Sequence, residues 1–468
     1  MALTRREFVS TLGLLAASAG MSQADLAKVT EAFGHASPAA VPGIWSGPWS
    51  TKPKVVWVHG AECTGCSTSL LSLYEDARGV AVPGHALGDI STATALNIVA
   101  NGTVKATGLA AADLGSKTLD ATNHPNGHRT LVNTNLNVDG SAYAVNIADV
   151  LIDFIDLQYH ETIMGMGGDE AYAYLKDQMD TNDGTPYVLV VEGAVQDISN
   201  PGYWGKTKTA TSAPWCSIGM DGRADTVGEL SFDHVVEALA TSADCVAVVA
   251  IGQCAAFGGY PACIGPDLAA KPSGTKSQTG AKGVHDFLIA KGYGHGTANP
   301  SADKVINVPG CPVNPWWFTL TVVAWLVDAV TATGTSNGAL GILNGSLGIV
   351  GGVDNQRRLL AVYGDLLHGP YCPRYPKYAA RIFATKPGDD GCLKNIGCKG
   401  LYTRSSCGRH GWNAQQPQNA LGAPAEAVHN SLPGTTTPIG GCCLTAGAPC
   451  MGCTEKGYPD AFTPFVVR

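Results

Sequence analysis

The stretch Lys54-Val-Val-Trp-Val-His-Gly-Ala-Glu-Cys-Thr-Gly-Cys66 decides the fold of this chain. It opens with a short apolar run that is typical of a buried β-strand. The run leads directly into a loop that carries Cys63 and Cys66, and a Cys-x-x-Cys turn of this kind supplies two thiolates to a bound metal or cluster. The stretch therefore predicts a buried strand that delivers two thiols at its carboxyl end.

Other short apolar runs follow the same pattern and predict further buried strands. They are Val150–Leu157, Tyr187–Glu192, Cys245–Ile251 and Lys304–Val308. Helical patterns lie between them, at Val227–Ala240 and Gly283–Lys291. Because strands that alternate with helices form parallel sheets, the sequence predicts a doubly wound α/β domain.

Two of these later strands also end at a cysteine. The loop after Cys245–Ile251 carries Cys254, and the loop after Lys304–Val308 carries Cys311. Open α/β sheets bind ligands at the carboxyl ends of their strands. We therefore expect Cys63, Cys66, Cys254 and Cys311 to meet at one site.

The chain changes character from about Gly364 onward, where periodicity fades and Gly, Pro and Cys dominate. Eight of the fifteen cysteines lie between Cys372 and Cys453. An odd number of cysteines excludes complete disulfide pairing. Two further groups of candidate ligands fall here, His368 with Cys372, Cys392 and Cys398, and Cys407 with Cys450 and Cys453. Their spacing alone also permits zinc, so the metal stays open on this ground.

Composition narrows the class of protein. Hydrophobic residues make up 45% of the 468 residues and charged residues 15%, which favours a packed globular chain over a disordered one. The net charge is −8 and no basic run stands out, so a nucleic-acid partner is not expected.

The N-terminus has the pattern of an export signal. Thr4-Arg-Arg-Glu-Phe-Val9 is a twin-arginine pattern, and the apolar stretch Leu12–Ala17 follows it. The twin-arginine route carries folded proteins, often with cofactors already inserted, and so predicts a periplasmic protein with bound cofactors. No apolar stretch of about 20 residues follows, so we expect any membrane attachment to be through a partner.

Several longer motifs resemble those of NiFe-hydrogenase small subunits, in the same order along the chain. They are Trp57–Ser67, Tyr159–Met164, Gly252–Gly259, Val308–Pro315, Gly391–Leu393, Gly397–Gly400, Pro449–Cys453 and Phe462–Phe465. The resemblance implies a flavodoxin-like domain at 46–350, interrupted by an insertion at 79–146, and a loop-rich, cysteine-rich iron–sulfur domain at 351–468. Residues 1–45 would be the signal and a linker.

The resemblance also implies three iron–sulfur clusters in a row. A proximal 4Fe–4S cluster would be bound by Cys63, Cys66, Cys254 and Cys311. A distal 4Fe–4S cluster would be bound by His368, Cys372, Cys392 and Cys398. A medial cluster would be bound by Cys407, Cys450 and Cys453, and in most relatives it is 3Fe–4S.

Two departures from the family pattern bear on these clusters. Three residues separate His368 from Cys372, where the family usually has two. At the medial site the family has a proline upstream of its last cysteine pair, and here Cys442-Cys443 takes that place. Our hypothesis is that Cys443, or else Cys442, makes the medial cluster 4Fe–4S; the alternative is a spare buried cysteine.

The function implied is that of an electron-transfer subunit of a periplasmic NiFe hydrogenase. The catalytic nickel–iron centre would lie on a separate large subunit, so no catalytic residue is expected here. The electron acceptor would be a redox partner such as a cytochrome or a membrane subunit. The alternatives are an iron–sulfur subunit of another redox complex, such as a quinone reductase, and a secreted binding protein stabilised by disulfides or zinc.

Overall fold

The computed structural model describes two parts of the chain, one built around a sheet and one rich in cysteine. The described residues are 54–71, 155–197, 214–220, 228–264, 277, 280–315, 317–318, 321–322, 353–369, 372–410, 412 and 442–467. The predicted signal and linker at 1–45 and the predicted insertion at 79–146 lie outside them.

The first part is centred on a sheet of five parallel strands. These are β1 (Lys54–His59), β2 (Asp156–His160), β3 (Tyr187–Glu192), β4 (Cys245–Ile251) and β5 (Val305–Val308). Their order across the sheet is β2-β1-β3-β4-β5, which is the flavodoxin-like order. The predicted α/β class and the parallel sheet are confirmed. In this order the strands that follow β1 lie on both sides of it, β2 on one side and β3 on the other. The switch in strand order therefore falls between β1 and β3, which is where sheets of this kind bind ligands.

The strands form because their runs of β-branched and aliphatic residues are buried on both faces of the sheet. All six residues of β3 are buried, and in β1 only Lys54 is not. Helices cover the sheet: α1 (Gly65–Leu71), α2 (Gly168–Asp180), α3 (Phe232–Thr241), α4 (Gly252–Phe257) and α5 (Val284–Ala290). Leu175, Phe232 and Phe287 from these helices join Leu189 and Val248 of the strands in one core.

Two predicted elements have different bounds in the structure. The strand predicted at Val150–Leu157 is described as Asp156–His160, because its register pairs Trp57 of β1 with His160. The helix predicted from Val227 begins only at Phe232. Before it, Glu229–Ser231 pairs antiparallel with Ser217–Met220, and this pairing keeps the backbone extended.

The second part, from residue 353 to residue 467, has only short regular elements among its described residues. They are α6 (Leu360–Tyr363), α7 (Tyr375–Ala379), α8 (Cys407–His410) and 3-10 turns at Leu393–Ile396 and Asp460–Phe462. Its buried cluster contains leucine, isoleucine and alanine together with Cys372, Cys442 and Cys450. Cysteine therefore takes up core positions that apolar residues occupy in the sheet part.

The two parts pack directly on each other near the carboxyl ends of the strands. The side-chain amide of Gln253 in α4 donates to the carbonyl of Glu455 at 2.8 Å. The Tyr458 hydroxyl donates to the Tyr260 hydroxyl at 2.9 Å. These contacts place the C-terminal segment beside the loops that follow β4. Among the described residues, no helix is both long and apolar enough to cross a lipid bilayer.

Candidate metal centres

The structure brings together the four cysteines that the strand ends deliver. Cys66 lies in α1, Cys254 lies in α4, and Cys63 and Cys311 lie in the loops after β1 and β5. Burial and the neighbouring Cys311 and Cys63 thiols raise the pKa of Cys254 to about 12. Burial also raises the pKa of Cys66, and Cys254 and Cys311 add to that rise. The backbone brings the same loops together: the Gln253 amide, beside Cys254, donates to the carbonyl of Gly310, beside Cys311, at 2.8 Å. A Cβ on Gly65 would lie 3.0 Å from Cys63 Sγ and 3.4 Å from Pro312 Cβ, so the structure brings the four cysteines to one edge of the sheet.

Glycine leaves room around these thiols. Gly252 has a φ of +84°, and a Cβ there would come within 2.5 Å of Cys66 Sγ. Gly259 has a φ of +52°, and a Cβ there would come within 2.9 Å of Cys254 Sγ. A side chain at either position would enter the space that the thiols share.

This donor set suits an iron–sulfur cluster. Buried thiols that raise one another's pKa do not ionise together unless a positive charge compensates them. Iron ions supply that charge, and four thiolates are the usual ligand set of a 4Fe–4S cluster. The residues present therefore fit the cofactor that the sequence predicts.

Glu192, at the end of β3, fixes the position of the Cys66 loop. Its Oε1 accepts hydrogen bonds from the backbone amides of Cys66 and Ser67 at 3.0 and 3.1 Å. Its Oε2 accepts one from the Ser67 hydroxyl at 2.5 Å. Burial raises the pKa of Glu192, and the Ser67 bonds oppose that rise. Sequence reasoning missed this residue, although a carboxylate that closes a wholly apolar strand was a usable signal.

Glu62, directly before Cys63, belongs to a hydrogen-bonded loop. Its Oε1 lies 3.1 Å from Nδ1 of His59 and accepts from the Thr64 hydroxyl at 3.2 Å. The side chain therefore holds the loop that carries the first cysteine to the end of β1.

The second group gathers Cys372, Cys392 and Cys398. Burial raises the pKa of Cys372 to about 12, with contributions from Cys398, Cys442 and Cys392. Burial also raises the pKa of Cys398, to which Cys392 contributes. The three predicted cysteines are thus neighbours, and Cys442 lies among them.

His368 lies next to this group through its backbone. Its amide donates to the carbonyl of Gly400 at 3.0 Å, two residues beyond Cys398. Its partly exposed ring packs edge-on against Tyr378 and Tyr375, with centroids 4.4 and 5.4 Å away. Burial lowers the pKa of His368, and the charge of Lys394 lowers it further. Its role as a ligand stays a prediction.

The third group contains five cysteines rather than three. Cys407 and Cys442 share a hydrogen bond, which lowers the pKa of Cys442. Burial raises the pKa of Cys453 to about 12, and Cys443 makes the largest contribution of any neighbouring thiol. The Cys450 thiol donates to the Thr403 hydroxyl at 3.5 Å. Both Cys442 and Cys443 therefore reach the site predicted for the medial cluster.

The third group connects the other two. The charge of Cys311, from the first group, contributes to the raised pKa of Cys453. The charge of Cys398, from the second group, contributes to the raised pKa of Cys450. The cysteines therefore form a continuous series from the sheet edge to His368.

The remaining three cysteines belong to none of the predicted ligand sets. Cys245 is buried within β4, and Cys216 packs against the sheet core. Cys263 follows the 3-10 turn Tyr260–Ala262. None of the fifteen cysteines, all of which lie among the described residues, forms a disulfide bond.

A parallel sheet that delivers thiols from its strand ends, followed by a cysteine-rich segment, fits the class of iron–sulfur subunits of redox enzymes. Two family models match the chain. The model described as NADH ubiquinone oxidoreductase, 20 Kd subunit, matches residues 138–325. The model for the C-terminal part of the NiFe/NiFeSe hydrogenase small subunit matches residues 363–431.

Relatives and solved structures that are named as hydrogenases match nearly the whole chain. The periplasmic NiFeSe hydrogenase small subunit of Desulfomicrobium baculatum is 26% identical, across 100% of this chain and 99% of its own. The periplasmic NiFe hydrogenase small subunit 1 of Nitratidesulfovibrio vulgaris is 25% identical, across 99% and 93%. The oxidised NiFeSe hydrogenase structure from Desulfovibrio vulgaris Hildenborough matches with a TM-score of 0.53 at 25% identity, across 89% of this chain and 98% of that one. Over nearly its whole length, the chain is therefore similar to the small subunits of NiFe and NiFeSe hydrogenases.

Proposed function

We propose that this chain is the electron-transfer subunit of a periplasmic NiFe hydrogenase. It would relay electrons from hydrogen oxidation on the separate large subunit, through three iron–sulfur clusters, to an external acceptor. The observation that carries the proposal is the continuous series of cysteines from the sheet edge to His368. Gly400 marks the contact between its last two groups: the Gly400 carbonyl accepts from the His368 amide, and a Cβ on Gly400 would lie 3.4 Å from Cys398 Sγ and 3.9 Å from Cys450 Cβ. A relay needs its redox centres to be neighbours in this way, whereas zinc sites that only stabilise a fold do not.

The ligands divide into three sets. Cys63, Cys66, Cys254 and Cys311 would hold the proximal 4Fe–4S cluster. His368, Cys372, Cys392 and Cys398 would hold the distal 4Fe–4S cluster. Cys407, Cys450 and Cys453 would hold the medial cluster. When bound, the clusters supply one-electron transfer at potentials set by ligand type, hydrogen bonds to sulfur and burial.

For the medial site we infer a 4Fe–4S cluster with Cys443 as the fourth ligand. Among neighbouring charges, that of Cys443 contributes most to the raised pKa of Cys453, which supports a shared site. Cys442 is the alternative ligand, since its sulfur is hydrogen-bonded to Cys407. With a fourth cysteine the three clusters together hold about twelve irons.

Electron paramagnetic resonance of the air-oxidised complex, co-purified with its large subunit, tests this assignment. We expect no strong 3Fe–4S signal in the wild type and the appearance of one in Cys443→Ser. Cys442→Ser is the matched control and should leave the spectrum unchanged. A 3Fe–4S signal in the wild type would contradict the fourth ligand, and a signal only in Cys442→Ser would move the role to Cys442.

We further propose export by the twin-arginine route, on the motif at residues 4–9. Replacing both arginines, Arg5→Lys with Arg6→Lys, should leave the assembled complex in the cytoplasm. Cell fractionation with hydrogen-dependent dye reduction measures this. Complex found in the periplasm of the variant would contradict the route without affecting the electron-transfer function.

A quinone-reductase-like subunit is the second candidate, because the family model matching residues 138–325 carries that description. The separate match at residues 363–431 favours the hydrogenase function. Hydrogen-dependent reduction of benzyl viologen by the purified complex discriminates between the two. Its absence, in a complex with full iron content, would favour the second candidate.

A further inference from the structure

The segment from Cys372 to Arg404 has a charge opposite to that of the whole chain. It contains seven Lys and Arg residues and two Asp residues, while the chain carries a net charge of −8. This is also the segment that encloses the second group of cysteines. Its sign is therefore a local property of the surface around that group.

Several of these charges are already committed to local contacts. The buried Arg374 guanidinium donates to the carbonyls of Leu444, Asp389 and Gly391, and so lies inside the segment. Lys377 pairs with Asp390 at 2.6 Å. The Asp389 carboxylate accepts from the backbone amides of Thr385 and Lys386. Both acidic groups are therefore engaged within the segment.

Of the other five cations, four are exposed: Arg381, Lys386, Lys394 and Arg404. Lys399 is half-buried, and the Arg404 guanidinium donates to the carbonyl of Gly364. Lys394 lies beside a neighbour of His368: its Nζ is 5.5 Å from the Tyr378 ring, which packs edge-on against His368. Positive charge thus adjoins the partly exposed histidine at the end of the cysteine series.

Aromatic and aliphatic side chains are exposed in the same segment. Tyr375, which packs against His368, is 41% exposed, Ile382 is 48% exposed and Tyr402 is 70% exposed. Protein interfaces are enriched in exposed aromatic residues, and cations at their rim select the sign of the partner. We name the set of His368, Tyr375, Tyr378, Arg381 and Lys394 the His368 face.

We propose that the His368 face docks an acidic redox protein, which accepts electrons from this chain. The inference rests on the proposed electron-transfer function and adds the charge of the partner to it. An anionic lipid surface is the less favoured occupant, because membrane-binding segments carry clusters of four to eight Lys/Arg or an amphipathic helix. Here the cations are dispersed, and α7 has only five residues.

A single carrier in two charge forms tests the sign. Cytochrome c is basic, and succinylation of its lysines makes the same haem protein acidic. We would measure hydrogen-dependent reduction of both forms by the intact complex, at low and at high salt. We expect the acidic form to react about tenfold faster at low salt, and salt to remove most of that advantage. Equal rates, or faster reduction of the basic form, would overturn the proposal.

Variants locate the effect on the His368 face. The double variant Arg381→Glu with Lys394→Glu should lower the ratio of acidic-form to basic-form rates by tenfold or more. Because the ratio is the readout, a change in the redox potential near His368 affects both carriers and largely cancels. Lys176→Glu with Lys456→Glu makes the same charge change on lysines of α2 and the C-terminal segment, and should leave the ratio unchanged. An equal fall in both double variants would overturn the location.

Two further measurements separate the remaining outcomes. Wild-type complex that fails to reduce benzyl viologen with hydrogen refutes the proposed function itself. Viologen reduction without a preference for the acidic carrier refutes only the docking inference. Flotation with vesicles of phosphatidylcholine and phosphatidylserine tests the lipid alternative. Binding that the Arg381/Lys394 variant loses, with an unchanged carrier ratio, would assign the face to lipid instead.

Discussion

The sheet part and the cysteine-rich part are held together in different ways. In the sheet part, twenty-four buried residues form one cluster that spans Val56 to Val305, and a single cysteine belongs to it. In the cysteine-rich part the corresponding cluster has eight buried residues, of which three are cysteines. The first part therefore has an apolar core of its own, whereas the second depends on what its thiols bind.

Buried arginines make up for part of the missing core. Arg374 donates to three backbone carbonyls of the cysteine-rich part, at 2.7, 2.7 and 2.5 Å. A loop-rich segment leaves many carbonyls without a strand or helix partner, and a buried guanidinium can satisfy several of them at once. Polar bonds thus replace regular secondary structure here, and the two parts should respond differently to the same kind of damage.

The largest difference is expected when a cluster is lost. Cys392→Ser should remove protection from hydrogen exchange across residues 353–467 and leave β1, β3 and β4 protected. Structural metal sites contribute about 10 kcal/mol or more to the folding of small domains. Hydrogen-exchange mass spectrometry of the assembled complex measures the effect.

Cys245→Ala is the matched control for that experiment, because Cys245 is buried in β4 rather than placed in the series. It should leave the iron content and the protection of residues 353–467 as in the wild type. Full protection of the cysteine-rich part in Cys392→Ser would show that this part is ordered without its clusters.

The next largest effect is expected at a buried ion pair within the cysteine-rich part, beside its contact with α4 through the Glu455 carbonyl. Arg358 is 1% exposed; it pairs with Asp354 at 2.8 Å and with Glu455 at 3.1 Å, and it donates to the carbonyl of Thr454. Removing one member of a buried ion pair costs about 3–5 kcal/mol, because the other charge stays buried. Arg358→Met should therefore raise hydrogen exchange both at residues 442–467 and in α4.

Arg381→Met is the control for Arg358→Met, since Arg381 is exposed. It should change local opening free energies by less than about 0.5 kcal/mol. If Arg358→Met affects only the cysteine-rich part, the contact does not couple the two parts.

An apolar truncation in the sheet should damage the first part alone. Leu189 in β3 is fully buried, and Leu→Ala at such a site costs about 2–5 kcal/mol. We expect Leu189→Ala to lower the opening free energy of the sheet by this amount while the iron content stays unchanged. Leu366→Ala, at a residue 41% exposed, is the control. Loss of iron in Leu189→Ala would mean that the clusters depend on the rigidity of the sheet.

The same contrast explains what the sequence could predict. Buried parallel strands leave continuous apolar runs, so β1, β3, β4 and β5 were recognisable from local sequence. The cysteine after β1, β4 and β5 then followed from the rule that strand ends share a site. Local signals were sufficient wherever one segment carries both the structure and the chemistry.

Signals that depend on distant partners were not visible in the sequence. Arg358 meets Glu455 across 97 positions, and Arg374 meets the carbonyl of Leu444 across 70 positions. The start of α3 depends on a strand pairing with Ser217–Met220, which no local pattern records. Tertiary contacts of this kind decide most of the cysteine-rich part.

The smallest effect is expected at an exposed ion pair that also joins the two parts. Lys456 Nζ lies 2.9 Å from the Asp286 carboxylate, and the two side chains are 54% and 41% exposed. Exposed pairs contribute about 0.2–1 kcal/mol. A double-mutant cycle of Asp286→Asn with Lys456→Met, read by hydrogen exchange at residues 455–458, should give a coupling below about 1 kcal/mol. The coupling should decrease further at high salt.

The pH dependence of this pair follows from the carboxyl group. A hydrogen bond from His285, together with Lys456, lowers the pKa of Asp286 from 3.8 to about 2. The contribution of the ionised Asp286 carboxylate to stability is therefore fully present above about pH 4, and it is lost only as the pH falls towards 2. Between pH 6 and 8 the coupling should stay constant, because the ordinary pKa of Asp286, 3.8, and its lowered pKa, about 2, both lie well below that range. A coupling that changes between pH 6 and 8 would mean that a group outside the Asp286–Lys456 pair controls this contact.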